Sequence, residues 1–251
     1  MRERQKQPNN LIYGIHSVLE ALEAGKPVDK IMIRQGNIHG RIGEIRSRAK
    51  DLQIPVQMVP DATIERICPP GSNHQGLAAF ISAVEYQPLE EIILGIQERG
   101  ETPLLLLLDS ITDVRNFGAI ARTAECLGVH ALVVPAQGAA AINADAVKVS
   151  AGALHHLPVC RVNNLVDAVM LMQAYGIATI ACTEKAEASI YDMDFRPPMC
   201  LIMGAEDKGI STTLLKRAGF LAQIPMYGKI SSLNVSVAAG VIMAEARRQR
   251  G

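Results

Sequence analysis

The chain has 251 residues, 49% of them hydrophobic, and a formal net charge of zero. That is enough apolar material for one large domain or two modest ones, and no apolar run nears the roughly 20 residues a membrane span needs. Residues 1–85 carry 11 basic and 9 acidic side chains and residues 86–251 carry 14 and 16, so neither half announces a nucleic-acid partner by charge; aromatics at 4% offer no base-stacking platform either. The start, Met1 to Asn10, is polar and lacks the apolar core of a signal peptide, which makes the cytoplasm the expected compartment.

In chain order, Tyr13 to Ala24 reads as a helix with Ile15, Val18, Leu19 and Leu22 on one face. Lys30–Ile33 and Val56–Val59 read as short strands, with a helix over Arg41–Leu52 between them and a closing strand over Leu77–Val84. Residues 86–101, with the polar stretch Pro88–Gly100, read as a linker with room for one helix. Leu104–Leu108 is a continuous apolar run, the pattern of a strand buried on both faces. A helix over Phe117–Leu127 follows, with Asn116 at its expected N-cap, then a strand over Ala131–Val134. Helix Val166–Ala174 precedes strands Ile177–Ala181 and Met199–Met203. Helix Thr212–Ala218, strand Ala222–Ile224 and a long helix Leu233–Arg248, with Leu233, Val237, Val241 and Ala244 on one face, complete the pattern. Strands alternating with helices imply an α/β fold with a mostly parallel sheet covered on both sides.

Three segments carry chemistry. The first ends the buried strand at Asp109 and runs through Asn116, Gly118 and Ala119 to Arg122. Ligands in open α/β sheets gather at such strand ends. Arg122 lies within Ala119-Ile120-Ala121-Arg122-Thr123-Ala124, so it pairs with a buried carboxylate, snorkels to solvent, or points into a site. The second segment is Ile202-Met203-Gly204-Ala205-Glu206-Asp207-Lys208-Gly209. It is not a phosphate-binding loop, because no Lys-Ser/Thr follows the second glycine. The third joins Ile224-Pro225-Met226 to Ser231-Ser232-Leu233-Asn234 and a helix start rich in small residues.

In this order the segments resemble the three motifs of the SpoU/TrmH family of RNA ribose 2′-O-methyltransferases, within the SPOUT superfamily. The first 85 residues resemble the small α/β, L30e-like substrate-binding domain of the branch that methylates a guanosine of 23S rRNA. The resemblance implies a methyltransferase domain over residues 102–251 that carries a deep trefoil knot, binds S-adenosylmethionine without a metal, and forms a homodimer. It places Arg122 on the family's catalytic arginine, with Asn116, Glu206, Ser232 and Asn234 in the active site. Thr183, Gly204, Ile224, Met226 and Leu233 fall among the cofactor contacts, Gly204 by letting the cofactor lie against the backbone. Glu206 is also placed to brace Arg122 as an ion-pair partner. Family accounts make the arginine a base; since guanidinium is effectively always protonated, a clamp for RNA phosphate or a developing alkoxide is the milder version.

Ser150 and Gly152 match family positions near the active site or dimer contact, and Ser72-Asn73-His74-Gln75-Gly76 matches the interdomain signature or is a turn holding a satisfied histidine. The adjacent pair His155-His156 diverges too much for a metal site. Two positions depart from the family pattern: Val114 stands where proline is common, and Asp207 where glycine is. The five cysteines have no CxxC spacing, which argues against zinc and for free thiols. A nicotinamide oxidoreductase is excluded by the absence of GxGxxG after the first strand of the α/β region. A tRNA enzyme and a non-catalytic RNA-binding relative are the alternatives to an rRNA enzyme.

Overall fold

The computed structural model describes residues 10–37 and 40–251; the polar start over residues 1–9 lies outside them. The chain forms two compact units. One runs up to Glu85 and includes Ile142–Ala144; the other comprises Tyr86–Ala141 and Asp145–Gly251.

The first unit contains β1 (Leu11–Tyr13), α1 (Ile15–Glu23), β2 (Val28–Arg34), α2 (Arg41–Asp51), β3 (Val56–Val59), α3 (Asp61–Ile67) and β4 (Leu77–Ile81). Its sheet has the order β1-β4-β2-β3, with β4 antiparallel to both neighbours and β2 parallel to β3. A parallel pair requires a crossover, and α2 supplies it. The period of two sets the layers. Ile31 and Ile33 pack with Val18, Leu22, Ile42 and Ile45, whereas Met32, between them, packs with Val59, Ile64 and Ala78 on the other face. Tyr13 belongs to β1, not to the helix expected there. Gly14, with φ of 85°, turns the chain between the two.

The second unit contains α4 (Leu89–Glu98), β5 (Leu104–Asp109), α5 (Val114–Cys126), β6 (Ala131–Pro135), α6 (Ala144–Val149), β7 (Val159–Val162), α7 (Leu165–Ala174), β8 (Ala178–Cys182), β9 (Met199–Gly204), α8 (Thr212–Arg217), β10 (Phe220–Ala222) and α9 (Val235–Arg250). The sheet is parallel throughout, in the order β10-β8-β9-β5-β6-β7. All six residues of β5 are buried at its centre. The segment read as a linker is part of this unit: α4 buries Leu89, Ile93 and Ile96 in a core shared with Leu105, Leu107 and Val169.

Three expected boundaries move. Asp113 is the N-cap of α5, its Oδ1 accepting from the amides of Arg115 at 2.6 Å and Asn116 at 3.1 Å. Asn116 therefore lies inside the first turn with its side chain released from capping. β10 ends at Ala222, which leaves Ile224 in irregular chain. Helix α9 begins at Val235, so Leu233 precedes it. Its buried face is Val235, Ala239, Ile242, Met243 and Ala246, against α5 and β9, whereas Val237 is 52% exposed and Leu233 37%. The expected apolar face is the one the chain leaves open.

The last turn of α9 is tied down by polar bonds. Arg250 donates to the carbonyls of Phe195 at 2.7 Å, Pro197 at 2.6 Å, Thr102 at 2.9 Å and Pro103 at 3.1 Å. Gln249 accepts from the Phe195 amide and donates to the Met193 carbonyl. Among the described residues no helix is long and apolar enough to cross a membrane.

Candidate active site

The chain leaves β5 toward β6 on one side of the sheet, and leaves β9 toward β10 on the other. A crevice opens where such paths diverge beyond the strand C-termini. Asp109 and Gly204, the last residues of β5 and β9, are register partners there. Motif one begins at the first and motif two at the second.

Three polar side chains meet, one from each motif. Glu206 Oε1 accepts from Asn116 Nδ2 at 3.4 Å, from the Val235 amide at 3.0 Å, and from Asn234 Nδ2. Asn234 Nδ2 also donates to Asn116 Oδ1 at 3.1 Å. The other end of Asn234 caps α9: its Oδ1 accepts from the Ser236 amide at 2.9 Å and hydroxyl at 2.5 Å. A carboxylate beside the first amide of a helix is favoured by the helix dipole, which gives Glu206 a local reason to hold this place.

The remaining expected residues lie around this cluster. Arg122 is exposed on α5, and its side chain makes no hydrogen bond or ion pair among the described residues. The brace to Glu206 is thus not formed; Asn116, Asn234 and the Val235 amide take its place. Ser232 is exposed, two residues before Asn234. Thr183 is buried just past β8, its amide donating to the Ala222 carbonyl at 2.9 Å and its hydroxyl oxygen accepting from the Lys185 amide at 3.3 Å.

Gly204 has a packing reason of its own beside the expected approach of the cofactor. A Cβ there would fall well inside the 3.0 Å that real Cβ atoms observe, against the Gly209 carbonyl and the Ile210 nitrogen. The motif-two turn folds back onto its own strand, closed by the Gly209 amide donating to the Ala205 carbonyl at 2.7 Å. Gly118 is likewise a packing requirement: its Cβ would lie 2.7 Å from Val149 Cβ of α6.

Other expectations resolve into structure. Ser150 is fully buried, its hydroxyl donating to the Val147 carbonyl at 2.9 Å, so it fastens the end of α6. His74 Nδ1 accepts from the Gly76 amide at 3.1 Å, and Gln75 Oε1 from the Ile15 amide at 3.0 Å. The Ser72–Gly76 segment is therefore a turn holding a satisfied histidine, bonded to the start of α1. His155 and His156 are exposed, and no cluster of three or more potential metal ligands occurs among the described residues. Cys68, Cys160 and Cys200 are buried free thiols, and burial pushes Cys160 up to about 12; Cys126 is exposed.

The irregular chain from Ile224 to Leu233 makes no backbone–backbone hydrogen bond among the described residues. It also shows partly or largely exposed apolar side chains at Met226, Ile230 and Leu233. Free peptide donors and acceptors beside apolar side chains are what adenine needs, edge hydrogen bonds within an apolar slot. The donor set of Ile224, Met226 and Leu233 thus fits S-adenosylmethionine. Sequence reasoning missed Asp113, the cap that releases Asn116; its signal was an Asp at the start of the helical pattern.

Two family models match the chain. The SpoU rRNA Methylase family covers residues 103–244, and the RNA 2′-O ribose methyltransferase substrate-binding family covers residues 11–87. A putative TrmH-family tRNA/rRNA methyltransferase of Bacillus subtilis is 33% identical over 97% of each chain. An uncharacterized tRNA/rRNA methyltransferase of Synechocystis is 36% identical over 99% of this chain, which spans 65% of that longer protein. Among solved structures, the SpoU methyltransferase AviRb from Streptomyces viridochromogenes, in complex with S-adenosylmethionine, aligns with a TM-score of 0.60 at 28% identity, covering 96% of this chain and 90% of its own. The TrmH/SpoU tRNA-modifying enzyme of A. aeolicus aligns with a TM-score of 0.55 at 32% identity, over 64% of this chain and 84% of its own. The chain belongs to the SpoU/TrmH family of RNA methyltransferases, which use S-adenosylmethionine.

Proposed function

We propose that the protein methylates the 2′-hydroxyl of a ribose in RNA, at a guanosine of 23S rRNA, the reaction type of RlmB. The observation that carries the reading is the Asn116–Glu206–Asn234 cluster, which draws together residues separated by 28, 90 and 118 positions. A fold alone does not require three polar side chains from three separate motifs to converge beyond the strand ends.

S-adenosylmethionine supplies a strongly electrophilic methyl group, so the protein's work is to position and activate the hydroxyl. Glu206 commits Oε1 to three donors and leaves Oε2 without a partner among the described residues. That oxygen is available to accept a hydrogen bond from the ribose hydroxyl. Arg122, exposed and always charged, holds the neighbouring phosphate and stabilises negative charge developing on the ribose oxygen. Ser232 lies close enough along the chain to contact the same nucleotide. Thr183 and the Ile224–Leu233 backbone seat the cofactor.

Two observations favour rRNA over tRNA. The family model over residues 103–244 is that of the SpoU rRNA Methylase family, and the A. aeolicus tRNA-modifying enzyme matches only 64% of this chain, whereas a separate substrate-binding model covers residues 11–87. In the first unit, Arg48 is neutralised by Glu44 and Glu23, and Arg41 lies against His16 at 3.2 Å. Arg46 and Lys50 are exposed on α2 and are the proposed contacts to the RNA backbone. Removal of residues 1–85 tests this: cofactor affinity is expected to survive and methylation of rRNA to collapse. The cut falls before Tyr86 because Leu89 and Ile93 belong to the second unit's core. Full activity in the truncated protein refutes the substrate role.

The active form is proposed to be a homodimer through the second unit, with the open face of α9 at Val237, Val241 and Ala244, and Leu233 just before it, covered by a second copy. Obligate interfaces of this kind bury about 2,000 Å² or more. Light scattering is expected to give twice the chain mass at micromolar concentration, and a stable monomer contradicts the dimer. The knotted topology is proposed from the resemblance alone; in it the end of α9 keeps its hydrogen bonds to residues 102–103 and 193–197. An RNA substrate puts the proposed site of action in the cytoplasm.

A further inference from the structure

β5 is leucine from Leu104 to Leu108 and then ends in a carboxylate that is only 6% exposed. An apolar residue there would carry no desolvation cost, whereas a buried carboxylate needs hydrogen bonds. Asp109 takes no part in the three-motif cluster. Its Oδ2 accepts from the Ser211 amide at 2.8 Å, 102 positions away, and its Oδ1 from the Ser110 hydroxyl at 3.0 Å. Ser110 has φ of 61°, a left-handed conformation uncommon for a residue other than glycine.

We propose that Asp109 is a positioning residue for methyl transfer: by holding the Ser211 amide it latches the motif-two turn over Gly204 and so keeps Glu206 against Asn116 and Asn234. The inference deepens the function proposed above and rests on it only for its RNA readout.

The turn has little slack. It is closed at its base by the Gly209–Ala205 bond, and it lies so close to Gly204 that no Cβ fits between them. Beyond it, Ile210 is buried in the core and Ser211 is the N-cap residue before α8. The Asp109–Ser211 bond is the polar tie on that exit. Without it, the chain after Gly209 is held by the packing of Ile210, and the place of Glu206 rests on its own exposed hydrogen bonds to Asn116, Asn234 and the Val235 amide. Misplacing a reacting group by about 1 Å can cost on the order of 100-fold in rate.

The test compares four single variants and one double variant of the full-length protein. Each is measured for S-adenosylmethionine affinity by calorimetry, single-turnover methylation of total RNA, and melting temperature. Asp109→Ala removes the acceptor and is expected to weaken cofactor affinity and slow methylation, each by at least about tenfold. Asp109→Asn keeps the latch, because its Oδ1 can accept from Ser211 while its amide donates to the Ser110 oxygen; it is expected to restore both to within about threefold of wild type. Ser211→Pro removes the donor at a position whose φ of −58° suits proline, and is expected to match Asp109→Ala. Ser211→Ala keeps the amide and is expected to behave as wild type. The double variant Asp109→Ala/Ser211→Pro should be no worse than the poorer single, since both remove one bond.

A purely structural role lowers the melting temperature but leaves affinity and rate per folded molecule unchanged, and that result overturns the proposal. So does an Asp109→Asn variant as impaired as Asp109→Ala. If the wild type binds the cofactor but methylates no RNA ribose, the function proposed above fails, and the latch stands or falls on cofactor affinity alone.

Discussion

Asn234 has two jobs that one substitution can separate. Its Oδ1 caps α9 through Ser236, and its Nδ2 joins Glu206 to Asn116. Asn234→Ala removes both. Loss of an N-cap costs about 1 kcal/mol. The bonds to Glu206 and Asn116 are solvent-exposed, so they add about 1 kcal/mol more. A loss of about 2 kcal/mol in urea unfolding at fixed protein concentration is therefore expected. Asn234→Asp keeps the cap and sets a favourable charge at the helix start, worth a few tenths to about 1 kcal/mol. It replaces the donor facing Glu206 with a second carboxylate oxygen, so the cluster opens. The expected result is stability within about 1 kcal/mol of wild type. Single-turnover methylation is expected to fall by about 100-fold, as for other lost positioning donors. Asn234→Asp with wild-type methylation would refute the reasoning, because the cluster would then be dispensable.

Gly204→Ala sets a methyl group against the Gly209 backbone, which cannot rotate away as a side chain can. Overpacking of this kind costs about 1–3 kcal/mol, so a lower melting temperature together with lost cofactor affinity is expected; unchanged melting would show that the turn is not closed on Gly204. Arg122→Ala is expected to reduce methylation by about two to three powers of ten while leaving cofactor affinity within a few-fold. Arg122→Lys keeps charge but not the forked geometry, so partial activity indicates a charge role and a loss as deep as alanine's indicates a bidentate phosphate clamp. Glu245 tests the polar network within the last turns of α9: hydrogen bonds from Arg248 and Gln249 hold its carboxyl down at about 2. Because the folded value is depressed, its stabilisation is complete above the ordinary value of 4.5 and is lost as pH falls toward about 2. Glu245→Gln should therefore destabilise the protein at neutral pH and converge with wild type near the lower value in a pH series of melts.

What the sequence revealed follows from range. The leucine run of β5 reads correctly because burial on both faces leaves a local signature. β1, α3, α6 and β7 went unseen: each is short, and β1 and β7 are held by pairing with distant strands, β4 and β6. For α9, apolar residues occur on both sides of the helix, so periodicity could not choose between the Val237 face and the Val235–Ile242–Ala246 face. Capping was ambiguous because Asp113 and Asn116 both suit an N-cap. The meeting of Asn116 with Glu206 and Asn234 spans 90 and 118 positions, a separation that no local pattern reports; those residues were found through the family motifs. The brace between Arg122 and Glu206 was a chemical plausibility that the Val235 amide and two asparagines displaced.

The central claim is that a ribose oxygen of rRNA receives the methyl group. Purified protein incubated with labelled S-adenosylmethionine and unmodified total RNA gives the most direct measurement, with the label mapped after alkaline hydrolysis. A methylated 2′-oxygen can no longer attack the adjacent phosphate, so the label should survive in an alkali-resistant dinucleotide derived from 23S rRNA. Label recovered on a base, or in tRNA alone, would contradict the proposed reaction or its substrate.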